Sequence, residues 1–287
     1  MSMCCATVDA DQTVGAYPVD GPASEPVGRL VARRYRLRSR LGSGGMGRVW
    51  LADDEVLRRS VALKQVLPDG ADAAAWECAL GESRAAARVD HVGAVRIYDV
   101  VEENRRPWIV MEPLSGHTLR ESLDAEGPLP VDEVARVGLS LLDVLQATHR
   151  AGVVHLDVKP SNVHLCDGSR VVLIDFGISR TADEQTSATF VGSPAYVAPE
   201  RLDGGDVGPA ADLFSFGATL FAAVEGTAPF DRGSVSASFT AVLEGARAPF
   251  RHAGPLRPVI EGLLTKDPDQ RLRADQTRAV LRDVRGR

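Results

Sequence analysis

Leu41-Gly-Ser-Gly-Gly-Met-Gly-Arg-Val-Trp-Leu-Ala52 is the stretch on which the fold turns. Its glycines at 42, 44 and 47, with Gly45 between them, spell GxGxxG. That spelling is shared by dinucleotide sites, which run from a strand into a helix, and by glycine-rich hairpins folded over phosphates. The residues after the third glycine separate the two. Arg48 to Ala52 reads as a strand and leads into a turn at Asp53-Asp54, so the loop joins strand to strand. In such a hairpin the missing side chains let backbone N–H groups come close to phosphate oxygens. A merely flexible turn would explain one or two of the glycines and none of the motifs farther along the chain.

Working outward, Tyr35, Leu37, Ser39 and Leu41 alternate with Arg36, Arg38 and Arg40, the period of a half-exposed strand. The arginines read as its solvated face. Past the loop come a strand through Val61-Ala-Leu-Lys64, an Ala-rich helical stretch from Ala73 to Val89, and strand candidates at Val95–Val101 and Trp108–Met111. From Val131 the period changes: Val134, Leu141, Leu142 and Leu145 recur at helical spacing up to His149, and Asp212–Val224 and Ala274–Val284 also read as helices. A small antiparallel-sheet lobe with one main helix, followed by a larger helical lobe, is an α+β arrangement. Residues 1–30 mix Gly, Pro, Asp, Ser and Ala without a period and read as a disordered tail. Residues 31–287 read as one bilobal domain, divided near 111 and 116 by a short connector.

The matches continue in order along the chain: Val61-Ala-Leu-Lys64, then His155-Leu-Asp-Val-Lys-Pro-Ser-Asn162, Asp175-Phe-Gly177 and Ala198-Pro-Glu200. Any one of these occurs by chance. In this order and with these gaps the chain resembles the eukaryotic-like serine/threonine protein kinases, especially their bacterial branch, from about Arg34 to Val284.

The resemblance implies a role for each matching residue. Gly42, Gly44, Gly45 and Gly47 would cover the phosphates of ATP, with Leu41, Val49 and Ala62 roofing the adenine. Lys64 would hold the α- and β-phosphates and pair with Glu82. Glu112 and Leu114 would offer hinge backbone groups to adenine behind Met111, with His164 beneath it. Asp157 would orient the substrate hydroxyl and accept its proton, Lys159 would steady the γ-phosphate, and Asn162 and Asp175 would ligate Mg²⁺, for which Mn²⁺ can substitute. Ser193 resembles the small hydroxyl residue facing Asp157 and Lys159. Asp212 resembles the aspartate that braces the catalytic loop, and Arg271 the arginine that pairs with Glu200. Phosphoryl transfer has a loose transition state and is catalysed by positioning and charge neutralisation, which these residue types supply.

Two positions depart from the pattern. Leu156 replaces the arginine that commonly docks a phosphorylated activation loop, and leucine cannot pair with phosphate. Activity is therefore expected to depend weakly on phosphorylation of Thr186, Ser187 or Thr189, and loss of turnover in both Thr186→Ala and Thr189→Ala would refute this. His164 stands where the family usually places Leu or Met. It can still stack on a purine, which makes it a harmless substitution; the alternative is that a charged ring weakens ATP binding below about pH 6.5.

Composition narrows the class further. A net charge of −6, from 33 basic and 39 acidic residues, argues against a general nucleic-acid binder. Cys4, Cys5, Cys78 and Cys166 show neither zinc nor disulfide spacing, which fits a reducing, cytoplasmic setting. No signal peptide or membrane anchor is read from the sequence. The implied partners are proteins carrying Ser or Thr, with room for self-association during autophosphorylation. Non-catalytic pseudokinases normally lose one of the residues matched by Lys64, Asp157 and Asp175, all of which are present here. That makes an ATP-binding scaffold the minor alternative.

Overall fold

The computed structural model describes residues 27–44, 47–66, 72–176, 180–181 and 193–286. Gly45, Gly177, Thr186, Ser187 and Thr189 lie outside the described residues, as do residues 1–26 of the expected tail.

The first part of the chain is a six-stranded antiparallel sheet. Its strands are β1 (Leu30–Val31), β2 (Tyr35–Gly44), β3 (Gly47–Asp54), β4 (Arg59–Val66), β5 (Ile97–Glu103) and β6 (Arg106–Met111), in the order β1-β2-β3-β4-β6-β5. Helix α1 (Asp72–Ala87) interrupts it between β4 and β5. Pairing begins at Leu30, earlier than the alternation at Tyr35 announces, because the Leu37 carbonyl and N–H bond to Gly28 and Arg29. The period of two sorts the strands by face. Tyr35, Leu37, Trp50, Val61, Leu63, Trp108 and Val110 form one small core. Val49, Ala62 and Lys64 point the other way, into a cleft.

Asp54 closes β3 and organises the turn after it. Its fully buried carboxylate accepts Arg34 Nε at 2.8 Å and Nη2 at 2.7 Å, and the N–H groups of Val56 and Leu57 at 3.2 and 3.1 Å. The Arg34 guanidinium outweighs burial and holds this carboxyl down to about 2. A lowered folded pKa contributes stability that is present above the ordinary aspartate range and lost as pH falls towards 2. Asp54→Asn is thus expected to cost about 1–3 kcal/mol at neutral pH. Urea unfolding should show the gap to wild type closing on acidification, and a gap unchanged down to pH 2 would contradict the assignment.

The rest is mainly helical: α2 (Leu119–Glu126), α3 (Val131–Arg150), α4 (Pro209–Glu225), α5 (Val235–Glu244), α6 (Arg257–Leu263) and α7 (Ala274–Arg285). Val134, Leu141, Leu142 and Leu145 of α3 are fully buried, as their helical spacing requires, against a core rich in the phenylalanines of α4. Gly217 lets α4 approach α6 closely; a Cβ there would lie 2.6 Å from Leu263 Cβ. Short strands β7 (His117–Thr118), β9 (Val163–Leu165) and β10 (Val171–Leu173) form a sheet in the order β10-β9-β7, and β8 (Val153–Val154) pairs with β11 (Arg180–Thr181). Helices α2, α5 and α6 are not announced by any apolar period in the sequence. Local capping marks two of them: Thr118 and Glu121 form a reciprocal capping box on α2, and Ser234 caps α5.

Candidate active site

A cleft of about 280 Å³ lies between the sheet and the helical part. Leu41, Gly42, Val49 and Ala62 line it from the hairpin side, and Met111, Glu112, Leu114 and His164 line it from the connector and β9. Gly44 and Gly47 face each other at the end of the β2–β3 hairpin. Gly47 has a φ of +139°, and a Cβ on it would sit 2.0 Å from the Gln65 carbonyl oxygen, so both backbone shape and packing require glycine.

At the inner end of the cleft, Lys64 Nζ lies 2.7 and 2.9 Å from the two carboxylate oxygens of Glu82 and 2.8 Å from Asp175 Oδ1. Register explains the meeting: β4 carries Lys64 opposite Val49 and Ile109, and α1 packs over the same face through Ala79 against Val66 and Ile109. Burial alone would discharge the ammonium, but the two carboxylates outweigh it and hold Lys64 charged, its pKa raised. Burial would also raise Asp175, yet Lys64 outweighs it and keeps that pKa low. Glu82 is raised, by burial first and by the neighbouring Asp175 charge as well. Phe176, buried and edge-on to the His155 ring at 4.7 Å between centroids, holds Asp175 beside the cleft.

The loop from His155 to Asn162 hangs from α4. Asp212, fully buried, accepts the N–H of His155 at 2.8 Å and of Leu156 at 2.7 Å, and meets His149 Nε2 at 2.7 Å. Asp157 Oδ2 lies 2.7 Å from Lys159 Nζ and accepts Asn162 Nδ2 at 2.9 Å. Lys159 also donates to Ser193 Oγ at 3.0 Å. Asn162 is tied towards Asp175, because its backbone carbonyl accepts the Ile174 N–H at 2.9 Å. Its amide nitrogen is committed to Asp157, and its side-chain oxygen takes a long contact from Ser161 Oγ at 3.5 Å, which leaves it able to accept a ligand. Asn162 Oδ1 and the Asp175 carboxylate are a small set of hard oxygen donors. That suits Mg²⁺, which takes one or two protein oxygens and completes its shell with phosphate and water. Among the described residues, no group of three or more His, Cys, Asp or Glu could hold a metal by itself. Arg271 forks onto Glu200 at 2.7 and 2.9 Å, both buried, as the motif implies.

Other contacts have no signature in the sequence. Glu112 places its carboxylate on Arg170, at 3.0 and 2.9 Å, and on the Arg96 N–H at 2.9 Å, tying the connector to the β9–β10 turn. The Lys64–Asp175 contact is of the same kind. Ile97, Thr118, Glu121 and Ile174 also line the cleft; of these, only the Thr118/Glu121 pair carries a readable signal, its capping-box spacing.

His164 Nε2 lies 3.0 Å from the Ser115 carbonyl oxygen and donates to it. Burial pushes its pKa down, partly offset by that bond. A lowered pKa keeps the ring neutral above the ordinary histidine value, and charging begins only as pH falls below it. Affinity for an ATP analogue should therefore be flat from pH 8 to about 6.5 and weaken below, with the decline absent in His164→Leu. Titrations that fall in parallel for both proteins would dismiss this role.

The family model described as the protein kinase domain matches residues 35–280. The chain is 34% identical over 263 residues to the serine/threonine-protein kinase PknB of Mycobacterium leprae, covering 87% of this chain and 42% of that protein. To the serine/threonine-protein kinase PksC of Streptomyces coelicolor it is 36% identical over 272 residues, 88% of this chain and 49% of the relative. To PknL of Mycobacterium tuberculosis, also a serine/threonine-protein kinase, it is 36% identical over 205 residues, 70% and 51% respectively. The chain thus spans half or less of the length of most of these relatives. Among the described residues, no helix is long and apolar enough to cross a membrane.

Proposed function

Because the chain belongs to the protein kinase domain family and shares its bilobal α+β fold, we propose that it transfers the γ-phosphate of ATP to serine and threonine hydroxyls of proteins. The observation that carries this reading is a pair of polar clusters joined by one backbone bond. Glu82, Lys64 and Asp175 form the first, Asn162, Asp157, Lys159 and Ser193 the second, and the N–H of Ile174, next to Asp175, donates to the Asn162 carbonyl between them.

In this reading the hairpin and Ala62 cover the nucleotide, and the backbone of Glu112 and Leu114 receives the adenine. Lys64, kept charged and aimed by Glu82, holds the α- and β-phosphates. Asn162 and Asp175 hold Mg²⁺, which supplies charge neutralisation between the β- and γ-phosphates. Lys159 and Asn162 both hold Asp157 Oδ2, so Oδ1 is assigned to the incoming hydroxyl, which it orients and whose proton it accepts. Lys159 moves between Asp157 and the transferred group, and Ser193 keeps it near. The substrates are proteins presenting Ser or Thr, the chain's own among them in autophosphorylation, and the setting is cytoplasmic signalling. An ATP-binding scaffold without turnover is disfavoured by the intact pairing of Lys64, Asp157, Asn162 and Asp175.

The test is phosphate transfer to a generic basic protein with Mg²⁺, with Mn²⁺, and with a chelator. Transfer supported by both cations and stopped by the chelator is expected. Nucleotide binding without transfer under any of the three would refute the reading.

A further inference from the structure

We propose that Arg201 is a positioning residue for the transfer step: through the Leu156 carbonyl it fixes the peptide that carries Asp157. The proposal rests on the kinase reading above and concerns how that site is held in register.

Residues 155–159 lie between β8 and the turn Pro160–Asn162, outside any helix or sheet ladder. Their backbone groups are buried with the loop, so each needs a partner from elsewhere. The Lys159 carbonyl takes the Asn162 N–H at 2.9 Å, and the other partners are side chains. Asp212 takes the N–H groups of His155 and Leu156, and His155 Nδ1 takes that of Asp157 at 3.3 Å. Asn162 Nδ2 donates to the Asp157 carbonyl at 2.9 Å, and Thr219 Oγ1 to that of Val158 at 3.3 Å. The Leu156 carbonyl accepts Arg201 Nη1, the one bond in this series with a charged donor. Charge-assisted bonds are stronger than neutral ones.

Leu156 is where such a restraint matters most. It is buried with a φ of +66°, in the left-handed region that a branched side chain disfavours. Its own side chain offers no donor to hold the turn. Asp212 grips its N–H and Arg201 its carbonyl, so the peptide leading into Asp157 is fixed from both sides. Arg201 is itself anchored, since it ends the turn Pro199–Arg201 whose Glu200 is forked onto Arg271. Leu156, Asp157, Ser193, Tyr196 and Arg201 also lie around one narrow crevice, where the catalytic loop, the Ser193 segment and Arg201 meet.

Steady-state kinetics on wild type, Arg201→Ala, Arg201→Gln and Arg201→Lys, with ATP and a generic Ser/Thr substrate, decide the matter. Arg201→Ala should lower kcat about 10- to 100-fold, the loss expected of one charge-assisted bond, while the KM for ATP moves less than about threefold. Arg201→Lys, which keeps a charged donor, should recover part of the loss. Melting and binding of a non-hydrolysable ATP analogue show which variants are folded; if alanine does not fold, glutamine carries the comparison. Active wild type with an unchanged kcat in the folded Ala or Gln variant overturns the proposal. So does a loss that falls equally on ATP binding and is not relieved by lysine. Inactive wild type instead overturns the kinase reading itself.

Discussion

Asp157→Asn is expected to lower kcat by about 10²- to 10⁴-fold, the range for loss of a positioned proton acceptor, with ATP affinity nearly unchanged. The substitution keeps size and shape. An asparagine oxygen can still face Lys159 Nζ and Asn162 Nδ2, which now meet Asp157 Oδ2 at 2.7 and 2.9 Å. The loop's suspension from Asp212 and the Arg201 bond involve the backbone on either side and are untouched. What changes is the Oδ1 position, where an amide nitrogen replaces the oxygen assigned to the substrate hydroxyl. Kinetics beside analogue binding separate the two effects. A variant that turns over within about threefold of wild type, far inside that range, would remove Asp157 from the chemistry.

Lys64→Met should reduce both activity and stability. Lys64 is the shared cation of two carboxylates, with its side chain only 9% exposed and that of Glu82 only 8%. Methionine fills similar space and leaves Glu82 and Asp175 buried without their counter-ion. Breaking a buried pair in this way costs about 3–5 kcal/mol. The pH dependence then has a definite sign. In wild type, Lys64 lowers Asp175, so its contribution to stability is present above the ordinary aspartate range and lost as pH falls. Glu82 is raised already in wild type; in the variant, burial and mutual repulsion raise Asp175 too and Glu82 further, and protonation then favours the folded state. Stability of the variant should therefore improve relative to wild type between pH 7 and 5. Urea unfolding at both pH values checks this, and a difference that stays constant would contradict the triad as described. Phosphate transfer should fall at least about 10²-fold, because the phosphates lose their positioned charge.

The order of motifs was legible in the sequence because each motif is local. GxGxxG, Val-Ala-Leu-Lys, His-Leu-Asp and Asp-Phe-Gly are short, and a strand–loop–strand reading of residues 35–52 distinguishes the hairpin from a dinucleotide turn. The Lys64–Glu82, Glu200–Arg271 and Asp212–loop contacts came with the resemblance, and the structure brings those partners together. Arginines without a motif were not legible. Arg170 on Glu112 and Arg201 on Leu156 join residues far apart in the chain, and an isolated arginine reads as solvated until its neighbours in space are known. Short helices fared no better. α2 and α6 present too few turns for an apolar period to emerge; the Thr118–Glu121 cap marks α2, and α6 has no side-chain cap.

Leu156 shows how these levels combine. From sequence it reads as a lost phosphate anchor and hence as weak dependence on loop phosphorylation. The structure adds that its peptide is held by Asp212 and Arg201, so the departure at one position is accompanied by a fixed cation at another.

The most direct measurement is mass-spectrometric mapping of phosphate on the protein and on a generic basic protein after incubation with ATP and Mg²⁺, beside an Asp157→Asn control. Phosphoserine or phosphothreonine is expected with wild type and almost none with the control. Bound ATP with no phosphorylated residue, or label that persists undiminished in the control, would contradict it.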